Sequence, residues 1–135
     1  MSNLSDNLKQ MAINNGLCQD HIKSWRNYSD EELIEYYVTN PCWCIERNFP
    51  SNKFIIDNFI QSDLNKHGIF INDKLTDKDI KNNTLIISDC VGEIGVNAYR
   101  VVRAYVSGNS HIKFKIIENA ILIVDCYNLL VYPLY

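Results

Sequence analysis

Residues 97–127 read NAYRVVRAYVSGNSHIKFKIIENAILIVDCY, and the punctuation of this stretch decides the fold class. Cut before each asparagine, it yields units Asn97–Gly108, Asn109–Glu118 and Asn119–Tyr127, with a further unit from Asn128 to the end. Each unit opens on a turn-former and closes on a strand. Val102, Ala104 and Val106 alternate with Arg103 and Tyr105, and Ile112, Phe114 and Ile116 alternate with Lys113 and Lys115. That period of two is the pattern of a half-buried strand. Residues 121–124 are apolar on both faces, which predicts a more central strand. Two arrangements accommodate such units: an antiparallel meander, or a short β-helix-like stack whose rungs share one core, which we favour. Pro133 suits a final edge strand.

Working back from this stretch, β-branched clusters begin at Ile69, with strand candidates at 69–71 and 84–87. The charged segment 72–83 between them has room for one short turn of helix. Gly92 and Gly95 lack the third glycine and following helix of a phosphate loop, and read as turn glycines between strands.

Before residue 69 the periodicity is helical. Leu4, Leu8, Met11 and Ala12 form one stripe of a helix over 3–15, closed by Gly16. Ser29-Asp30-Glu31-Glu32 is a capping box that fixes a helix start near Asp30. Asn40-Pro41 interrupts that helix and offers Pro41 as the first residue of the next. Residues 49–52 form a loop ending in N-cap residues, followed by the amphipathic run Phe54, Ile55, Phe59 and Ile60. The expected architecture is therefore α+β in a single domain: a bundle of short helices over 1–68, then a repetitive β-sheet or β-helix-like half over 69–135.

Composition bounds the function. A chain of 135 residues with 47% hydrophobic and 21% charged residues is that of one ordinary globular domain. Residues 1–10 lack a basic leader and an apolar segment, and no run approaches a membrane span, so a cytoplasmic location without membrane attachment is expected. The net charge of −3 argues against a protein whose main work is coating nucleic acid. Cys18, Cys42, Cys44, Cys90 and Cys126 are odd in number and set among apolar residues, which reads as reduced, buried thiols.

No pattern singles out catalysis. Cys42-Trp43-Cys44 has too short a gap, and no second pair, for structural zinc. Nothing selects a nucleophilic pair from these cysteines and His21, His67 or His111. Glu31, Glu32 and Glu35 belong to a helix start. Counted from Asp73, a calcium loop would need Gly and Glu where Lys78 and Thr84 stand. No enzyme activity, metal or cofactor is expected. Two binding surfaces are candidates. Arg100, Arg103, Lys113 and Lys115 could form an outward stripe interleaved with Tyr99 and Tyr105, suited to RNA, against the plainer reading of a solvated sheet face. Tyr127, Tyr132 and Tyr135 gather at the C-terminus, and tyrosines serve as interface anchors or as core.

Residues 32–34, 44–55 and 65–70, with their helix caps and apolar spacing, resemble small proteins carried by bacterial prophages and mobile elements. Within that group, the size, acidity and AT-rich compositional bias resemble the anti-CRISPR inhibitors of the type VI-B RNA-guided RNA nuclease. The resemblance covers about the first 75 residues and carries no catalytic motif. It implies a stoichiometric inhibitor in the host bacterial cytoplasm that binds the effector and blocks productive guide-RNA or target-RNA engagement. A small RNA-binding module and a self-assembling β-repeat protein are the alternatives.

Overall fold

The computed structural model describes residues 4–79 and 81–127. Its first half is six short helices: α1 (Leu4–Asn14), α2 (Gln19–Ser24), α3 (Asp30–Thr39), α4 (Pro41–Glu46), α5 (Asn52–Asn58) and α6 (Gln61–Lys66). Their boundaries follow from the punctuation. The Glu32 amide donates to Ser29 Oγ at 3.2 Å and the Ser29 amide to Glu32 Oε1 at 3.1 Å, completing the capping box. Pro41 opens α4, and Ser51 Oγ accepts from the Phe54 amide at 3.2 Å to cap α5. The reading of the sequence omits α2, which has no side-chain cap and buries no residue. Ser5, buried on α1, accepts from the Tyr28 amide and the Trp25 indole at 3.0 Å and donates to the Arg26 carbonyl. One hydroxyl thereby fixes the path from α2 to α3. Replacing Ser29 with alanine removes the hydroxyl that satisfies an otherwise orphaned amide. A loss of about 1 kcal/mol, read from the urea midpoint, is the expected result.

Among the described residues the second half holds seven strands: β1 (Ile69–Ile71), β2 (Lys74–Asp79), β3 (Thr84–Ser88), β4 (Val91–Val96), β5 (Val101–Ser107), β6 (His111–Ile116) and β7 (Ile121–Tyr127). The odd-numbered strands form one sheet in the order β1-β3-β5-β7, and the even-numbered strands a second in the order β2-β4-β6. Every pairing among the described strands is parallel, which sets aside the antiparallel meander for them. The chain crosses to the other sheet after each strand, so consecutive strands never pair. Strand partners instead lie 16 to 20 residues apart, as in Asp79 with Gly95, Ile69 with Ile86, Tyr105 with Asp125, and Val91 with His111. An asparagine-led unit is half of this spacing.

Left-handed residues mark the corners at equivalent places. Asn72, Asp89 and Gly108 each follow directly on β1, β3 and β5 with φ of 52°, 54° and 66°. Tyr99 and Asn119 each stand two residues before β5 and β7, with φ of 63° and 56°. Four of the five are Asn, Asp or Gly, the types that tolerate this conformation. Asp89 also ties the corner to the helices: Oδ1 accepts from the Asn109 amide at 2.8 Å and Oδ2 from Asn52 at 3.2 Å.

Strand alternation produces three layers. Leu85 and Ile87 of β3 face Leu75, Ile94 and Val96 of the second sheet, with Phe70, Val102 and Ala104, in a core between the sheets. Ile69, Ile86 and Tyr105 face the other way and meet Ile34, Ile45, Ile55 and Leu64 of the helices. A third cluster, around Leu8, Ala12, Leu33 and Phe49, lies within the helical half. The strands of the first sheet are thus buried on both faces where helices cover them, as parallel sheets require.

Several expectations are corrected. Segment 72–83 contains β2 and, among its described residues, no helical turn. Gly92 and Gly95 lie inside β4; Gly92, with φ 135°, is opposite Leu75 beside a register irregularity, so it serves close backbone approach. Strand β7 is the outermost described strand of its sheet and not a central one, leaving Ile121, Ile123 and Val124 exposed. Apolar residues on both of its faces do not signal two buried faces here. The helices on the outer face stop at Tyr105 and Tyr127. The unit beginning at Asn128, with Pro133, Tyr132 and Tyr135, lies outside the described residues.

Candidate interaction surface

The candidate residues fall in three places. Arg103 and Tyr105 lie on β5 and Tyr127 on β7, all in the first sheet. Lys113 and Lys115 lie on β6 in the second sheet, and Arg100 occupies the corner before β5. The four cations do not form one stripe, because β5 and β6 are consecutive in sequence and belong to different sheets. Lys115 and Lys113 both approach Glu93 on neighbouring β4, at 3.2 and 3.9 Å. Arg100 donates to the Lys81 carbonyl and to Asn83 Oδ1, bracing its own corner.

The first sheet does assemble a continuous row. Arg103 Nε donates to Asp125 Oδ2 at 3.1 Å across the β5–β7 pair, and its guanidinium lies 5.8 Å from the centre of the Tyr105 ring. The Tyr105 and Tyr127 rings stack with centroids 6.5 Å apart. The Tyr127 hydroxyl then donates to Cys42 Sγ on α4 at 3.1 Å, joining sheet to helix. This bond to Cys42 and then burial push the Tyr127 phenol up to about 12. Burial raises Tyr105, and its hydrogen bond to Asp125 raises Arg103, so the row keeps its neutral phenols and its cation near neutral pH.

Tyr105 is only 8% exposed and belongs to the core beneath the helices, leaving Arg103, Asp125 and Tyr127 as the accessible part of the row. Sequence reasoning missed Asp125 and Cys42. Asp125 is the charged residue in an apolar strand, placed 20 residues beyond Tyr105, and the pairing interval would have found it. No local signal marks Cys42, whose role arises from how α4 lies on the sheet.

The cysteines divide differently from the expectation of five buried thiols. All five are free, with Cys18, Cys42 and Cys126 exposed and only Cys44 and Cys90 buried. Cys90 Sγ donates to the Phe70 and Ser88 carbonyls at 3.3 Å. Burial raises both interior thiols, Cys44 from 9.0 to about 12. A thiol reagent at pH 8 is therefore expected to label three cysteines in the native protein and all five after unfolding. Native labelling of five would contradict this packing. Folding favours the protonated Cys44, so its contribution to stability is whole below pH 9 and lost as the pH climbs toward 12.

Among the described residues no group of three His, Cys, Asp or Glu side chains is placed to hold a metal ion, and no helix is long and apolar enough to cross a membrane. Comparison with protein-family models, curated proteins and solved structures gives no match in any of the three.

Proposed function

We propose that this protein is a stoichiometric, non-catalytic inhibitor that docks on an RNA-guided RNA nuclease and blocks its productive engagement of guide or target RNA. The observation that supports a docking role is the row Arg103, Asp125, Tyr127 and Cys42, held across two strands and a helix in one fixed arrangement. A paired guanidinium beside a phenol on a preorganised sheet is the equipment of a protein interface, because little side-chain entropy is left to lose on binding. The choice of a nuclease as partner, and of the bacterial cytoplasm as the place, rests on the prophage-type resemblance of residues 32–70. We further read the two parallel sheets as the walls of a short β-helix-like stack, in which each pair of strands is a rung and the helices close one wall.

The test is titration of a purified type VI-B nuclease with the protein while RNA cleavage is followed. Cleavage is expected to fall linearly to an end point at equimolar protein, with the nuclease retained on immobilised protein. Absence of retention overturns the reading. Lys113 and Lys115 over Glu93 favour RNA contact as the second reading, which requires direct RNA affinity that declines steeply with salt.

A further inference from the structure

Strand β1 is outermost in the first sheet, paired only with β3 in the register Ile69 with Ile86 and Ile71 with Ser88. The Ile86 amide donates to the Gly68 carbonyl and the Asn72 amide to the Ser88 carbonyl. Alternate residues of a parallel strand bond to the same neighbour, so Gly68, Phe70 and Asn72 serve β3, while Ile69 and Ile71 turn their N–H and C=O groups the other way. Among the described residues no strand lies on that side, and no backbone hydrogen bond reaches these four groups. Ile69 is 1% exposed, and peptide groups withdrawn from water in this way cost free energy until they are paired.

The edge also lacks the usual protection. The other outermost described strands carry charged side chains, Lys74 on β2, Lys113 and Lys115 on β6, and Asp125 on β7, which discourage pairing with another chain. Strand β1 reads Ile-Phe-Ile and carries none.

Beside this edge lies a groove of about 300 Å³, bounded by β1 and by helices α5 and α6. Ile56, Leu64 and Ile71 form its aliphatic walls, Gln61, Asn65 and Asn72 supply amides, and none of its lining residues is charged. It meets solvent at Asn72 and at Ile56, which is 49% exposed. Ile69 and Ile71, two residues apart, point to one side of the sheet and belong with Leu64 to the core beneath the helices. A strand laid along the edge would turn alternate side chains to that same side, into the groove.

These features choose the occupant. Outward peptide groups on a strand edge are matched by another extended backbone, and an uncharged groove disfavours a buried carboxylate or ammonium. A second copy of this chain offering β2, β6 or β7 would bring a charged side chain to the groove. One offering β1 already packs Ile69 and Ile71 on its own helices and would fill neither groove. We infer that the edge of β1 with the α5–α6 groove is a binding site for an extended, uncharged segment of a partner protein. The segment pairs with Ile71 at the mouth and Ile69 within, and places an aliphatic side chain between Ile56 and Leu64. Strands β1 and β7 stand at opposite ends of the first sheet, so this site is separate from the row of Arg103, Asp125 and Tyr127 and does not depend on a nuclease meeting that row.

The test is a titration of amide- and methyl-labelled protein, followed by NMR, with acetyl-Thr-Val-Thr-Val-Thr-amide. The same peptide N-methylated at every residue, and one with Glu in place of Val, serve as comparisons. Saturable shifts at Ile56, Leu64, Ile69 and Ile71, with slower hydrogen exchange of the Ile69 and Ile71 amides, are expected from the first peptide alone. Ile71→Pro removes an outward amide and no bond to β3, so it should abolish binding with little change in Tm. Ile56→Glu places a charge on an exposed residue at the groove mouth and should weaken binding at least about tenfold, which reads the site even where Ile71→Pro does not fold. Absence of saturable binding, equal binding of either comparison peptide, shifts elsewhere, shifts that track protein concentration without peptide, or a folded variant that binds as tightly as the parent would each overturn the inference.

Discussion

Gly92→Ala is expected to abolish cooperative folding. A Cβ at this position would lie 1.7 Å from the Leu75 carbonyl oxygen, 2.6 Å from its carbonyl carbon and 2.8 Å from its nitrogen. All three are backbone atoms of the partner strand, so no side-chain rotation relieves the overlap. Relief would require β2 and β4 to separate at the register irregularity next to Leu75, which would open the core holding Leu75 and Ile94. Backbone strain and core loss together place the effect above about 4 kcal/mol, among the most severe for a single substitution. Gly16→Ala is the matched control, with φ 89° but open space around the new methyl, and should lose only about 1 kcal/mol. Urea unfolding followed by circular dichroism separates the two. A Gly92→Ala protein melting within a few degrees of the parent would show that the two strands do not approach as described.

Truncating Ile86 and truncating Ile87 should be nearly as damaging as each other, although the two are adjacent in one strand. Ile87 is fully buried between the sheets, and Ile86 is 1% exposed beneath the helices. Each change to alanine leaves a cavity in a different core, for an expected loss of about 2–5 kcal/mol. Ile121→Ala, on the uncovered part of the same sheet, should stay within about 0.5 kcal/mol. Equilibrium unfolding of the three variants tests the layered arrangement. If Ile86→Ala moves the midpoint no further than Ile121→Ala, the helices do not bury that face.

The helical half was legible because its signals are local. Ser29 with Glu32, Pro41 and Ser51 each specify a helix start within one turn, and the stripe of Leu8 and Ala12 needs only its own helix to be read. Strands β1, β3, β5, β6 and β7 were legible as strands from their β-branched clusters and alternation, which are local properties; β2, charged along its length, and β4, which carries Gly92 and Gly95, were not. No strand's pairing was legible. Whether Arg103 stands beside Lys113 or beside Ile123 depends on how many residues the chain spends returning to the same sheet. That interval varies from 16 to 20, too irregular to stand out as a repeat. The cation stripe failed for this reason, as did the reading of β7 as central. The accessible row of Arg103, Asp125, Tyr127 and Cys42 depends further on where α4 settles, a contact 85 residues apart in the chain.

The left-handed corners at Asn72, Asp89 and Gly108 also govern how such a chain can change in length. Each corner sets the phase of the strand that follows, so gaining or losing one residue would turn core side chains outward. Duplicating one strand of each sheet with its corners, about 20 residues, would keep every face in phase and add one strand to each sheet. Each sheet would then widen in steps of about 4.8 Å, the spacing of neighbouring strands, while the helices over Ile69 and Ile86 kept their place.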